Sequence, residues 1–385
     1  MQIYLDHSAT TPPRPEVIAT MQAVLANQWG NPASIHHWGE RSSLTVETAR
    51  HQVAGLIACP ANEANRIVFT SGGTEADNLA LLGVTQTYDP PQHLIISQVE
   101  HAAIAEPARW LESQGWQVTR LAVDTWGRVD PAEFRRSIQA NTVLASIIYG
   151  QSEVGTVQPI SQLGAIAREA GILFHTDAVQ VAGRLALDVQ TLPVDLLSLS
   201  SHKLYGPQGV GALYIRPGIN VLPTQAGGGQ EGGLRSGTPA VAAIAGFGVA
   251  AELAQRELAT ESQRLQTLRD LLLAKLADVP QLIPTGDPVH RLPHHLSFCF
   301  QGTNQGTNQG SNGKTLVRQM NLAGIGISSG SACNSGTTMP SPVLQAMGYD
   351  DGLATNGVRL SLGRSTTEAD VVWTAMVLRQ ILSRI

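Results

Sequence analysis

Three lysines occur in 385 residues, and one of them stands where an amine can do chemistry. Lys275 falls on the polar side of an amphipathic helix pattern, and Lys314 follows a polar, Gly-rich run; both are ordinary solvated places. Lys203 instead lies in LLSLSSHKLYGPQGVG, where a buried strand pattern ends in Ser-Ser-His-Lys and enters a Gly/Pro turn. An amine at the end of a buried strand is partly desolvated, which favours its neutral, nucleophilic form. A plain surface lysine is the alternative, and the apolar approach with flanking His202 disfavours it.

A second strand pattern, GILFHTDAVQ, ends in Asp177, 26 positions before Lys203. If the two strands are parallel, both side chains emerge along one edge of the sheet, where α/β ligands bind. An amine and a carboxylate so placed suit pyridoxal phosphate, whose ring nitrogen is the better electron sink when a carboxylate keeps it protonated. Alone, Asp177 would read as a helix N-cap. A phosphate needs backbone N–H groups, and VFTSGGTEADNLAL offers a strand, a Ser-Gly-Gly-Thr turn and a helix start. Gly73 and Thr74 are the candidate donors, although many such turns bind nothing. The GxGxxG spacing and a Walker lysine are both missing, which argues against nucleotides. His101, in ISQVEHAAI, follows another apolar strand at a helix start, where its ring could stack on a cofactor and move protons. A satisfied histidine there would be as common.

Of the three cysteines, Cys59 and Cys299 sit in apolar runs and read as packing residues. Cys333 lies in SSGSACNSGTT, where six of the eleven residues are Ser or Thr and two are Gly, so it reads as an exposed thiol able to act as a nucleophile. Arg359, in GVRLSLGR, is placed to clamp a substrate carboxylate, with Arg364 the alternative.

The elements that must position these residues follow from periodicity. RIVFT, HLIIS, TVLASIIY, GILFHTD, VDLLSLS and GALYI are apolar throughout, as strands buried on both faces are, and helical stretches separate them. Beyond about residue 245 the texture changes: Leu265, Leu268, Leu272 and Leu276 mark a long amphipathic helix, and mixed strands and helices follow. The expected fold is α/β: a large domain over 16–255 with a mostly parallel central sheet, and a smaller α+β domain over 256–385 joined by 1–15. A candidate hinge is expected near the 245–260 helix. Ser365 and Glu368 have capping-box spacing before the last helix. The two-copy repeat GTNQGTNQG at 302–310 is expected to be a surface loop. A net charge of −5 with aromatics at 5% gives no basic, aromatic-interleaved patch, so nucleic acid is not an expected partner. No apolar run has the length of a membrane span, no signal segment opens the chain, and no metal site is expected, so a cytoplasmic enzyme is the default.

Nearly the whole chain resembles the cysteine desulfurases of the class V aminotransferase group, pyridoxal-phosphate enzymes of fold type I. The motifs are YLDHSATTP, GNPASIHHWGE, FTSGGTEADNLAL, VEHAAI, HTDAVQ, SSHKLYGPQGVGALY, GGGQEGGLRSGT, SSGSAC and RLSLGRSTTEAD. The resemblance implies that Lys203 carries the cofactor, Asp177 pairs with its ring nitrogen and His101 stacks on the ring. It implies that Gln180 approaches the phenolic oxygen, and that Thr74, Ser200 and His202 hold the phosphate, with Thr238 reaching in from a second subunit of a homodimer. Arg359 then binds the carboxylate of L-cysteine and Cys333 attacks its sulfur, leaving alanine and a persulfide. Where the family has Asn-Asn before a Glu-x-Gly turn, this chain has Gln151-Ser152, so Ser152 stands in that place as a cofactor contact. Sulfur-acceptor proteins are the implied partners, an iron–sulfur scaffold among them, although the chain stops at Ile385 without the tail by which housekeeping members dock it. Selenocysteine lyase, C–S lyase and aminotransferase chemistry are the neighbouring alternatives.

Overall fold

A computed structural model describes residues 2–301, 313–330 and 339–384. Cys333 and the 302–310 repeat lie outside the described residues. In chain order the elements are β1 (Ile3–Tyr4), α1 (Pro15–Asn27), α2 (His37–Leu56), β2 (Ile67–Thr70), α3 (Gly73–Thr85), β3 (His93–Ser97), α4 (Ala102–Ser113), β4 (Gln117–Leu121), α5 (Pro131–Ser137) and β5 (Thr142–Ser146). They continue with α6 (Ile160–Ala170), β6 (Leu173–Asp177), β7 (Leu196–Ser200), β8 (Gly211–Ile215) and α7 (Val241–Leu276). The remainder holds β9 (Leu282–Pro284), β10 (His295–Phe300), α8 (Gly313–Leu322), β11 (Ile325–Gly326), β12 (Ser328–Ser329), α9 (Pro342–Ala346), α10 (Asp351–Thr355), β13 (Gly357–Ser361) and α11 (Glu368–Leu382).

Seven strands form the main sheet in the order β2-β8-β7-β6-β5-β3-β4. The pairs from β7 to β4 are parallel, whereas β8 runs antiparallel to both β2 and β7. The sheet is therefore mostly parallel, and β2, twice reversed relative to β7, again points with it. This reversal places the C-terminal ends of β2, β3, β5, β6 and β7 on one edge, which is where the candidate residues of the sequence gather. Both faces are covered, as continuous apolar strands require. One core lies under α2, α6 and the first half of α7 through Val53, Ile166 and Phe247. The other lies under α3 and α4 through Leu79, Ala80 and Ile104.

A separate core unites Leu5, Leu272, Phe298, Leu316, Leu360 and Leu378 around the small sheet β12-β13-β10-β9. The N-terminal strand β1 pairs with β11 and so belongs to this second body. Helix α7 serves both cores: Ile244, Phe247 and Ala250 pack into the first, Leu265, Leu268 and Leu272 into the second. At 36 residues it runs for about 54 Å and includes the 245–260 helix near which the hinge is expected. The last helix starts differently from expectation. Its capping box is Thr367 with Asp370, two residues beyond Ser365 and Glu368, the Thr367 amide donating to Asp370 at 2.8 Å and the Asp370 amide to Thr367 at 3.2 Å. Strand ends were also over-extended: TVLASIIY forms a strand only as far as Ser146.

Candidate active site

At the strand-end edge a cleft of about 320 Å³ opens between the two bodies. Each wall comes from a different element. The β2–α3 turn supplies Gly73 and Thr74. A Cβ on Gly73 would stand 2.9 Å from Val179 Cγ2 and 3.4 Å from Ser200 Cβ, so glycine is what lets this turn lie against the ends of β6 and β7. The first amides of α3 lack helical partners, a standing site for an anion. The turn is braced from outside: the Ser71 amide donates to Glu75 at 2.7 Å, and Arg235 Nε donates to the same carboxylate at 2.8 Å.

His101 follows β3 as the N-cap of α4, its Nδ1 accepting from the Ala103 amide at 3.1 Å, so it is both a satisfied helix-start histidine and a ring on the cleft wall. Asp177 ends β6 with Oδ1 accepting from the Val179 amide at 2.9 Å. Burial pushes its carboxyl up, while His101, the Val179 amide and Lys203 pull it back. Asp77, from α3, is raised as well, by burial first and by the charge of Asp177 second.

Lys203 closes a short 3-10 turn after β7. Its Nζ donates to the carbonyls of Ser8 and Ala9, each at 2.7 Å. The N-terminal segment from Asp6 to Thr11 is thus a strap across the lysine turn. Gln180 Nε2 donates to the Ser8 carbonyl at 3.0 Å, His202 Nδ1 meets Thr10 Oγ1 at 3.1 Å, and the Tyr205 amide donates to Thr11 Oγ1 at 2.7 Å. His202 is lowered to about 4, by burial first and the Lys203 charge second.

From the second body, Arg359 of β13 faces the same cleft at 3% exposure. Its Nη1 donates to the Ser152 carbonyl at 2.9 Å and its Nη2 to Asp6 at 2.7 Å. Arg364, the alternative, does not line the cleft; its amide donates to Tyr205 Oη at 2.8 Å and its guanidinium pairs with Glu257. Gln151 also turns away, its Oε1 capping the Glu153 and Val154 amides, and leaves Ser152 on the wall.

Gly73, Thr74, His101, Ser152, Asp177, Gln180, Ser200, His202, Lys203 and Arg359 therefore meet in one cleft. Thr238 does not: it is exposed and outside this lining. Burial raises the thiol of Cys59 to about 11 and that of Cys299 to about 12, which suits packing and not nucleophilic work at neutral pH. Sequence reasoning missed Ser8 and Ala9, which act through backbone carbonyls, and Asp77, which lines the cleft beside His175.

These residues fit pyridoxal phosphate: an amine on the cleft wall, a buried carboxylate on the neighbouring strand, a histidine ring on the same wall, and a glycine turn at a helix N-terminus for the phosphate. The class is thus a fold-type I pyridoxal-phosphate enzyme. The chain belongs to the aminotransferase class-V family, which it matches over residues 3–372. It is similar over its full length to cysteine desulfurase IscS of Dictyoglomus turgidum, with 41% identity across 95% of that protein. The corresponding protein of Methanosarcina thermophila is also 41% identical, across all of this chain and 92% of its own. Among solved structures, a NifS-like protein superposes with a TM-score of 0.91 at 33% identity, covering all of both chains. SspA, solved in complex with cysteine, superposes with a TM-score of 0.81 at 32% identity over 94% of this chain and 99% of its own.

Proposed function

We propose that this chain is a cysteine desulfurase that takes sulfur from L-cysteine, releases L-alanine and holds the sulfur as a persulfide on Cys333 for acceptor proteins, iron–sulfur cluster assembly among them. The observation that carries the reading is the meeting in one cleft of Lys203, Asp177, the Gly73 turn and Arg359 from the other body. The full-length similarity to proteins named cysteine desulfurase selects this reaction from the others the fold supports.

Pyridoxal phosphate, when bound, supplies an electron sink for the substrate's α-carbon. Lys203 is the residue to carry it and, as a free amine, to take the α-proton; the Ser8 and Ala9 carbonyls give that amine a place to stand. Asp177 would hold the ring nitrogen protonated, His101 would cover the ring, and Gln180 and Ser152 would stand on its phenolic side. Gly73, Thr74, Ser200 and His202 would hold the phosphate. Arg359 would take the α-carboxylate of L-cysteine. Cys333 as thiolate then forms an S–S bond to the substrate sulfur. The substrate's Cβ–S bond breaks, its electron pair goes to carbon, and a proton completes the methyl group of alanine.

The working unit we propose is a homodimer in the cytoplasm. Exposed apolar residues gather on α1, α2 and the connection between them, with Trp29 stacked on Trp38 at 6.5 Å and Ile35 fully exposed. A patch of that kind supports a protein partner, and an exposed Thr238 suits a residue that serves another copy's cleft. Among the described residues no helix is long and apolar enough to cross a membrane.

The test is sulfide and alanine production from L-cysteine with a thiol reductant, comparing wild type and Cys333→Ala, both loaded with cofactor. The expected variant keeps its cofactor absorbance and loses sulfide release. Equal sulfide release from the variant would contradict the role of Cys333 and favour a C–S lyase; alanine turnover with a keto acid and no sulfide would favour an aminotransferase.

A further inference from the structure

We infer that Asp6 is a resident counter-charge that limits how tightly Arg359 grips an amino-acid carboxylate, and so favours release of alanine. The inference rests on the reading of Arg359 as the carboxylate-binding residue. Among the described residues Arg359 lines the cleft and Asp6 does not, and the guanidinium is bonded to both Asp6 and the Ser152 carbonyl. A carboxylate arriving from the cleft therefore meets a guanidinium already facing a negative charge at 2.7 Å. Of its five N–H donors, one goes to Ser152 and one to Asp6, so hydrogen-bonding capacity remains and charge is what Asp6 removes.

Asp6 has two opposite effects on ligand affinity. It orients the guanidinium, which strengthens binding, and it repels a second carboxylate, which weakens it. The orienting effect is secured without Asp6. Arg359 lies mid-strand in β13, between Ser297 of β10 and Ser328 of β12, its side chain is 3% exposed, and Nη1 is pinned on the Ser152 carbonyl. Repulsion therefore dominates, damped by water because the Asp6 side chain is 21% exposed. The position of Asp6 is fixed by its own backbone, which bridges to Ser361 on β13, with the Ser8 amide donating to Ser361 Oγ at 2.8 Å. The neighbours of Asp6 on this strap accept from Lys203, so one short segment sets the charge at Arg359 and holds the amine.

The experiment is calorimetric titration of the cofactor-loaded protein with L-alanine and with ethylamine, which has the same amine and no carboxylate. Asp6→Asn should bind L-alanine about three- to tenfold more tightly than wild type, with ethylamine unchanged. Asp6→Ser, uncharged and smaller, should shift in the same direction, and thermal midpoints show that both variants are folded. Unchanged or weaker L-alanine binding in a folded variant overturns the inference, as does an equal shift with ethylamine. Arg359→Gln separates this from the underlying reading. If that variant still prefers L-alanine over ethylamine as wild type does, the assignment of Arg359 itself is wrong.

Discussion

Glu100 precedes His101, and its Oε1 accepts from the Ile148 amide at 3.0 Å and the Ser97 amide at 3.3 Å, while Oε2 has no hydrogen-bond partner among the described residues. Burial raises its carboxyl from 4.5 to about 8, against the pull of these donors. A carboxyl raised on folding contributes stability that is complete below its unfolded value and lost as pH rises through its folded value. Wild type should therefore lose thermal midpoint relative to Glu100→Gln between pH 5 and pH 9, a window set by 4.5 and about 8. A constant gap across that range would contradict the burial argument. Glu100 and Asp77 were not legible in the sequence, because an acid near a helix start ordinarily reads as solvated. His101, Asp177 and Lys203 were legible because Asp177 ends an apolar strand and the other two closely follow one, and strand ends in a parallel sheet share an edge. The Ser8 and Ala9 carbonyls were beyond sequence reasoning, since any residue type offers the same acceptor.

At the scale of elements, the periodicity of the parallel strands and of α7 read correctly in kind. The reversal of β8 did not, because GALYI is as apolar as its parallel neighbours and strand direction leaves no mark on composition. That reversed strand has a demand of its own. A Cβ on Gly211 would stand 2.5 Å from the Gly72 carbonyl carbon and 2.7 Å from the Leu199 oxygen, both backbone atoms that cannot swing aside. Gly211→Ala should cost about 1–3 kcal/mol in denaturant unfolding. Since the displaced neighbour is the turn before α3, cofactor affinity should fall as well. Normal stability and normal cofactor binding in this variant would show that the β2–β8 contact is not what sets the turn.

Across the whole molecule, two hydrophobic cores share α7, and the cleft lies where Arg359 from one meets Lys203 and Asp177 from the other. The apolar face of α7 changes partner partway along, from Phe247 and Ala250 in one core to Leu268 and Leu272 in the other, and that change of partner leaves no mark in its periodicity. The exposed patch of Trp29, Ile35, Trp38 and Leu44 belongs to this scale too. If the proposed dimer forms through this patch, replacing Trp38 and Leu44 together by Ser should shift sedimentation toward monomer and lower cofactor retention; sedimentation unchanged from wild type would contradict an interface at this patch. In the proposed reaction Lys203 and Cys333 act together on L-cysteine. Its most direct test is a single turnover of cofactor-loaded protein without reductant, followed by alanine analysis and mass spectrometry of the Cys333 peptide. Wild type should give one alanine per site and one added sulfur atom on Cys333, and Lys203→Ala neither; alanine formed without sulfur on Cys333, or a modified Cys333 in the lysine variant, would overturn the pairing of these two residues.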